Sequence, residues 1–311
     1  MGDITNDFSW SKSRHEKFKE CRRAYYLHYY KYWEGWKKDA PEWKRELYRL
    51  KKLGNRFTWA GSVVHDAIRD ILLDVRAGRP PAPEAALERA RGLMRMDFKH
   101  SRSLRYRSEK GRKNFFGLVE HEYSEPVSAD DWKRSWDAVE QALRWFLQSR
   151  WLALAKTLEP KQWLEVDEGF ENSNFQKDGV KVFAIPDFAY LDESGIPVVV
   201  DWKTGKARDG YDAQLLGYAV YLAARYRFPV ETIQTVLVYL NEGTEQTVKV
   251  SLESLAEFER HFQESVRGMR ALLSTPEQNV PHPEEAFPQN EDRAVCRRCV
   301  FRRPCGRDEL A

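Results

Sequence analysis

Five residues between positions 187 and 218 have the types and the spacing for metal-assisted chemistry on a phosphate group. Asp187 follows a proline, and Asp201 and Lys203 form an Asp-x-Lys pair after three valines. Gln214 and Tyr218 follow, four residues apart. Carboxylates hold Mg²⁺, the ion lowers the pKa of a bound water, and a lysine beside it neutralises charge in the transition state. The sequence therefore indicates hydrolysis of a phosphodiester.

A hairpin is needed to bring the two aspartates together. Two apolar stretches, 182–191 and 196–201, flank residues 192–195, Asp-Glu-Ser-Gly, a pattern typical of an antiparallel hairpin with one strand in each stretch. A three-residue loop that ends with Gly195 in the left-handed conformation fixes the pairing of the strands. That register places Asp187 directly opposite Asp201, with Lys203 two residues further along the same face. A register shifted by one residue would separate the carboxylates.

The structural alternative is an ion pair on the surface of a strand. An Asp-x-Lys pair by itself is a weak signal, and such pairs contribute little to stability. Here the valines at 198–200 form a continuous apolar run, which is typical of a sheet interior with charge at its end. Adjacent carboxylates also repel each other unless a cation lies between them. On residue types alone, catalysis and a surface ion pair both stay open.

Pro186-Asp187, Asp201-Trp202-Lys203 and Gln214-x-x-x-Tyr218 resemble the motifs of the PD-(D/E)XK nuclease superfamily, in its RecB-like branch. The resemblance implies an α/β fold with a restriction-endonuclease-like core sheet flanked by helices. It also implies that Asp187 and Asp201 bind the metal and that Lys203 is catalytic. Gln214 and Tyr218 would brace the site and contact the DNA backbone, since their spacing places both on one helix face.

His65 and three glutamates are further candidates for the metal site. The segment Gly61-Ser62-Val63-Val64-His65 is expected to open an amphipathic helix, where a lone histidine is more often a surface or core residue. In RecB-like nucleases a Gly-x-x-x-His ahead of the core supplies a metal ligand, which implies that role for His65, and imidazole also binds Mn²⁺. The resemblance further points to a strand glutamate near the metal. Of Glu165, Glu168 and Glu171 we choose Glu168 and expect the other two to be solvated.

Four cysteines lie near the two ends of the chain: Cys21, Cys296, Cys299 and Cys305. They are compatible with two disulfides, a zinc site, an iron–sulfur cluster or unrelated buried thiols, and the lack of a secretion signal disfavours disulfides. Spacing does not decide between zinc and [4Fe–4S]. The set is similar to that of iron-stapled RecB-like nucleases of the AddB and CRISPR-adaptation types, although Arg22 stands where those have proline. The resemblance implies a [4Fe–4S] cluster, and a cross-link between distant chain segments would be structural.

A basic segment ahead of the core could contact DNA. Cations interleaved with aromatic residues suit phosphate contacts and base stacking along a single strand. A disordered basic loop has the same composition. The candidates are Arg105, Arg107, Lys110, Arg112 and Lys113.

The whole chain sets further limits. Its 311 residues, 42% of them apolar, can bury a substantial core, and the net charge of +3 is mild. The sequence has no P-loop motif, no apolar run long enough for a membrane span and no signal-peptide pattern at its start, so we expect a cytoplasmic protein without ATP or membrane binding. We expect a helical region at 1–158 that includes one long helix over 130–157, and a nuclease core at 159–275. A linker with the cysteine segment at 276–311 is expected to close on the N-terminal region.

Taken together, the sequence predicts a metal-dependent deoxyribonuclease that uses Mg²⁺ or Mn²⁺, an exonuclease on single-stranded or frayed DNA. Relatives of this kind act in DNA repair and antiviral defence. One alternative is a nucleic-acid-binding or assembly module that cuts only with a helicase or integrase partner. Another is a zinc-stapled binding protein without catalysis. The complete Asp, Asp, Lys, Gln and Tyr set favours the enzyme.

Overall fold

The structure is a computed structural model that describes residues 5–79, 82–108, 116–167, 169, 173–206 and 212–308. Helices fill most of the described first half of the chain. In chain order this half holds β1 (Ser9–Trp10), α1 (Lys12–Glu20), α2 (Arg22–Tyr26), α3 (Glu42–Lys51), α4 (Arg56–Arg76), α5 (Pro83–Arg102), α6 (Arg105–Ser108), α7 (Val119–Glu122), α8 (Ala129–Gln148) and α9 (Arg150–Ala155). A π-helical turn at Leu27–Lys31 continues α2.

The second half carries most of the strands. In chain order it holds β2 (Trp163–Glu165), β3 (Asn174–Lys177), β4 (Val180–Phe183), β5 (Phe188–Leu191), β6 (Pro197–Lys203), α10 (Asp212–Tyr226), β7 (Gln234–Tyr239), β8 (Thr244–Val248), α11 (Leu252–Arg270), β9 (Leu273–Thr275), β10 (Val280–Pro281) and α12 (Arg293–Arg297). Short 3₁₀ turns connect several of these elements.

The described residues form one main sheet with the strand order β2, β5, β6, β7, β8. Its central strand β6 runs antiparallel to β5 and parallel to β7. Parallel neighbours need a crossover connection, and α10 supplies it between β6 and β7. The residues at the end of β6 therefore lie at the middle of the sheet, against α10.

Successive residues of β6 face opposite layers of the core. Val199 packs with residues of α10 and α11, whereas Val200 and Trp202 pack with residues of α4, α8 and α9. Because side chains alternate along a strand, Asp201 and Lys203 share the face of Val199. Helices thus cover both sides of a mixed central sheet, which confirms the predicted α/β fold class.

The β5–β6 hairpin has the predicted register. Phe188 pairs with Val200 and Leu191 with Pro197, and Gly195 closes the turn with a φ of +76°. The backbone N–H of Asp192 donates to the carbonyl of Ile196 at 2.9 Å. Continued by one residue, the same ladder sets position 187 opposite position 201.

The stretch at 182–191, expected to be one strand of that hairpin, is divided between two sheets. β4 ends at Phe183 and belongs to a small sheet of order β1, β4, β3, while β5 begins only at Phe188 in the main sheet. Pro186 lies between them, and proline cannot donate to a ladder. The break frees Asp187 from regular pairing, so its side chain reaches across to the next strand.

Two expected helix boundaries are also wrong. Helix α4 begins at Arg56, not at Gly61, because Asn55 and Thr58 form a capping box one turn earlier. The helix expected over 130–157 is two helices, since Ser149 has an extended backbone (ψ 159°) and its hydroxyl accepts from the N–H of Leu152 to cap α9.

The C-terminal segment contacts the junction of α1 and α2, as the fold prediction required. The N–H of Arg23 donates to the carbonyl of Pro288 at 3.1 Å, and the Asn290 side chain donates to the carbonyl of Glu20 at 2.5 Å. Within the described residues, no helix has both the length and the apolar character needed to span a membrane.

The core beneath the site predicts a stability effect. Phe146 of α8 is fully buried with its ring 5.4 Å from that of Trp202. Replacing it with alanine leaves a cavity, so we expect Phe146→Ala to lower the free energy of unfolding by about 3–5 kcal/mol. The matched control is Phe57→Ala, because Phe57 is 67% exposed and should change stability by less than about 0.5 kcal/mol. Urea unfolding measures both, and equal effects would contradict the packing described.

Candidate active site

The two aspartates of the predicted pair lie side by side at the centre of the sheet. Oδ2 of Asp187 accepts a hydrogen bond of 2.8 Å from the backbone N–H of Trp202, the residue after Asp201. Asp201 itself is only 1% exposed. The two carboxylates are therefore neighbours at the end of β6, with Asp201 buried and the Asp187 side chain 14% exposed.

Asp201 has few donors for a buried carboxylate. The Lys203 ammonium forms an ion pair with Oδ2, and no described residue donates to Oδ1 with normal hydrogen-bond geometry. Burial raises the pKa of Asp201 above its ordinary value, Asp187 raises it further, and Lys203 opposes both. A buried carboxylate with few donors, next to a second carboxylate, suits a divalent cation. The cation would compensate the negative charge and would be bound by the carboxylate oxygens.

His65 reaches this pair from the opposite layer. It lies on α4, and its Nδ1 is 3.0 Å from Oδ1 of Asp187. Burial acts to lower the pKa of His65, but the Asp187 carboxylate outweighs it and raises the pKa to about 9. The expected candidate ligand is thus brought to the aspartates. Its present contact is an ion pair with Asp187.

A chain of hydrogen bonds along α10 holds the lysine. The Lys203 ammonium donates to Oε1 of Gln214 at 3.0 Å, and Nε2 of Gln214 donates to the Tyr218 hydroxyl at 2.6 Å. Burial raises the pKa of Tyr218 well above its usual value, and the carboxylates of Asp201 and Asp187 raise it further. The spacing of four residues puts both partners on one face of α10, so the helix fixes the ammonium beside Asp201.

Asp167 and Lys12 also belong to these surroundings, and no sequence motif pointed to either. Asp167 follows β2 with a φ of +37°, and its N–H donates to the carbonyl of Pro186 at 3.3 Å. Burial raises its pKa, and nearby Asp187 adds to the effect. Lys12 begins α1, and burial and Lys203 both lower its pKa. Only the fold brings these residues near the pair, since they lie 20 and 191 positions from Asp187 and Lys203.

The strand glutamates differ from expectation where they are described. Glu165 is buried, not solvated, because its Oε1 accepts hydrogen bonds of 2.8 Å from the hydroxyls of Tyr221 and Tyr226 and one of 3.0 Å from Nε of Arg225. Those donors from α10 compensate its burial. Glu168, chosen as the glutamate near the metal, and Glu171 lie outside the described residues.

The predicted DNA-contact residues are described only in part. Arg107 forms two hydrogen bonds with the buried carboxylate of Glu122, at 2.8 and 3.0 Å, so it fastens α6 to α7. Arg105 is exposed at the start of α6. The other three candidates, Lys110, Arg112 and Lys113, lie outside the described residues.

The four cysteines line one cavity of about 190 Å³, and all of them are free thiols. Backbone N–H groups point at two of the sulfurs, from Ala24 to Cys21 and from Phe301 to Cys299, both at 3.4 Å. Burial raises the pKa of Cys299 to about 11. Four thiols around one cavity could hold either a [4Fe–4S] cluster or a zinc ion. In the described part of the chain, no three histidine, cysteine or acidic side chains already form a ready metal-binding group.

The His65–Asp187 ion pair predicts a pH dependence of stability in the metal-free protein. Since the folded-state pKa of His65 is about 9 and the ordinary value is 6.5, its contribution is complete below about pH 6.5 and is lost as the pH rises through 9. We expect wild type to exceed His65→Asn in free energy of unfolding at pH 6, and the difference to shrink by pH 9.5. Urea unfolding in EDTA at both pH values measures it. A difference independent of pH would contradict the charge assignment.

The comparison with known proteins agrees with the geometry. A family model described as the PD-(D/E)XK nuclease superfamily matches residues 9–306. A search of curated proteins gave no match. The matched range contains the paired aspartates, the lysine, and the glutamine and tyrosine of α10. The chain therefore belongs to the PD-(D/E)XK nuclease superfamily.

Proposed function

We propose that this protein is a Mg²⁺- or Mn²⁺-dependent deoxyribonuclease of the RecB-like branch, an exonuclease on single-stranded or frayed DNA. The observation that carries the proposal is the buried Asp187–Asp201 pair with the Lys203 ammonium held against it. The two carboxylates supply the oxygen ligands that a dication needs, and the ion would take the place of the His65 proton beside Asp187. Membership of a metal-dependent nuclease family supports the same chemistry.

Each residue of the site has a role that follows from its contacts. Asp187 and Asp201 would hold the divalent ion, with His65 as a further ligand once its proton is lost. When bound, the ion supplies Lewis acidity and a water of lowered pKa. The Lys203 ammonium, fixed by Gln214, is placed to neutralise negative charge that develops on the phosphoryl oxygens. Tyr218 holds Gln214 in position.

A groove on the helical side supports a preference for unpaired strands. Trp59, Phe98, Trp132 and Trp136 line a cavity of about 500 Å³ together with Arg95 and other cations. Aromatic rings stack on the bases of single strands, and cations bind the backbone phosphates. Trp59 lies on α4, the helix that also carries His65.

We further propose that Cys21, Cys296, Cys299 and Cys305 bind a structural [4Fe–4S] cluster. The common cavity and the free thiols support it. The cluster would join the junction of α1 and α2 to the C-terminal segment, and a covalent link between distant segments limits the unfolded state. A cytoplasmic location and a helicase or integrase partner stay predictions.

The catalytic proposal predicts the loss of cleavage in two variants. Asp201→Asn removes a metal-ligand charge and Lys203→Ala removes the ammonium, so each should lower kcat by at least about 100-fold. The matched control is Lys161→Ala, because Lys161 has a side chain that is 81% exposed. End-labelled single-stranded and duplex DNA, incubated with Mg²⁺, Mn²⁺ or EDTA and sized over time, measures rate and polarity. Undiminished cleavage by both variants would remove the assignment.

The cluster proposal predicts a coloured protein. Wild type purified without oxygen should be brown and contain about four irons per chain, and Cys299→Ala should lose the colour and most of the soluble yield. Ser274→Ala is a control at an exposed position away from the cavity. Metal analysis checks the content directly. One zinc per chain in colourless, folded wild-type protein would replace the cluster with a zinc site.

A further inference from the structure

A cleft beside the catalytic lysine is not used by the roles assigned above. It has a volume of about 320 Å³ and lies between the start of α1, the end of β4 and one face of α10. Lys203 and Gln214 line it, so it is continuous with the site. Its size is at the lower end of the range for small-molecule sites, and it is large enough for one nucleotide.

Two ammonium groups face this cleft. Lys12 lies at its α1 wall with a side chain that is 24% exposed, and Lys203 lies at the opposite wall with a side chain that is 13% exposed. The only carboxylate among the described lining residues is Glu16, which is 56% exposed and 3.4 Å from Lys12. Burial lowers the pKa of Lys12, the Glu16 carboxylate acts against this shift, and repulsion from Lys203 adds to it. An anion between these groups would remove that repulsion.

The rest of the lining suits the remainder of a nucleotide. Val182, Phe183 and Ile185 give one side of the cleft an apolar surface with an aromatic ring. Near Lys12, the hydroxyls of Ser11 and Ser13 share a hydrogen bond of 3.1 Å, which leaves one of the two O–H groups to donate to a ligand. A ligand with a phosphate at one end and a flat apolar group at the other matches this distribution.

We propose that this cleft is a nucleotide subsite of the nuclease, in which Lys12 binds the phosphate next to the scissile one while the nucleoside lies against Phe183. The proposal rests on the proposed function, because it takes the scissile phosphate to lie at Lys203. Lys12 would then be a substrate-binding residue that sets how the strand enters the site.

The first test measures binding of a labelled single-stranded oligonucleotide at several salt concentrations, in Ca²⁺ and with the oligonucleotide checked to be intact. Lys12→Ala removes one phosphate contact, so it should bind the oligonucleotide about tenfold more weakly than wild type. It should also lower the slope of log K against log salt by about 0.7. Lys12→Arg should keep the slope, and Lys19→Ala, an exposed lysine on the same helix, should leave affinity and slope unchanged.

The second test locates the phosphate. Oligonucleotides that carry one neutral methylphosphonate, moved along the strand, should show one position that costs wild type about tenfold in affinity and costs Lys12→Ala nothing. Such a loss of additivity identifies a direct contact. The proposal requires that this position lie one phosphate away from the mapped cleavage site.

Three results would overturn the inference: Lys12→Ala binding like Lys19→Ala, a weaker affinity with an unchanged salt slope, or methylphosphonate losses that add to the loss from Lys12→Ala at every position. The proposed function fails on a different measurement, the undiminished cleavage by Asp201→Asn and Lys203→Ala. Binding in Ca²⁺ does not depend on cleavage, so the two failures can be told apart.

Discussion

The structure depends on the repulsion between two buried carboxylates. Asp187 and Asp201 occupy neighbouring strands at the centre of the sheet, where low polarisability strengthens their interaction and burial raises its cost. The Lys203 ammonium and His65 each contact one of them. These contacts offset part of the cost, but Oδ1 of Asp201 accepts no hydrogen bond of normal geometry from the described residues. Buried charges of this kind are concentrated at functional sites, and a bound divalent cation would offset the repulsion between these two carboxylates.

Every element around the pair limits how it can relax. The hairpin fixes the separation of the strands, and the break at Pro186 releases Asp187 to reach the N–H of Trp202. From one side α4 delivers His65, and from the other α10 delivers Gln214 and Tyr218. Trp202 of β6 is buried against the aromatic rings of Phe146 on α8 and Trp151 on α9, which holds β6 in place. The charged groups therefore cannot move apart without unpacking a layer of the core, which is how a fold preorganises a site.

The sequence predicted what depends on local periodicity and missed what depends on tertiary contacts. The hairpin register followed from the position of Gly195, and the pairing of Gln214 with Tyr218 followed from helical spacing. The burial of Glu165 could not be predicted in this way, since its donors come from a helix some 60 residues later. The same holds for Lys12, which reaches Lys203 only because β1 pairs with β4 and carries the start of α1 to the core.

Helix α1 connects the cleft beside Lys203 to the cavity lined by the four cysteines. Lys12 begins the helix at the cleft, and Cys21 terminates it at the cavity lined by the four cysteines. Nine residues of α-helix form a rod about 13 Å long, too short to bend appreciably. Whatever fixes Cys21 to the C-terminal segment therefore also fixes where Lys12 stands relative to Lys203. A structural cofactor bound at Cys21 would in this way affect the geometry of substrate binding at Lys12, because one short helix carries both residues.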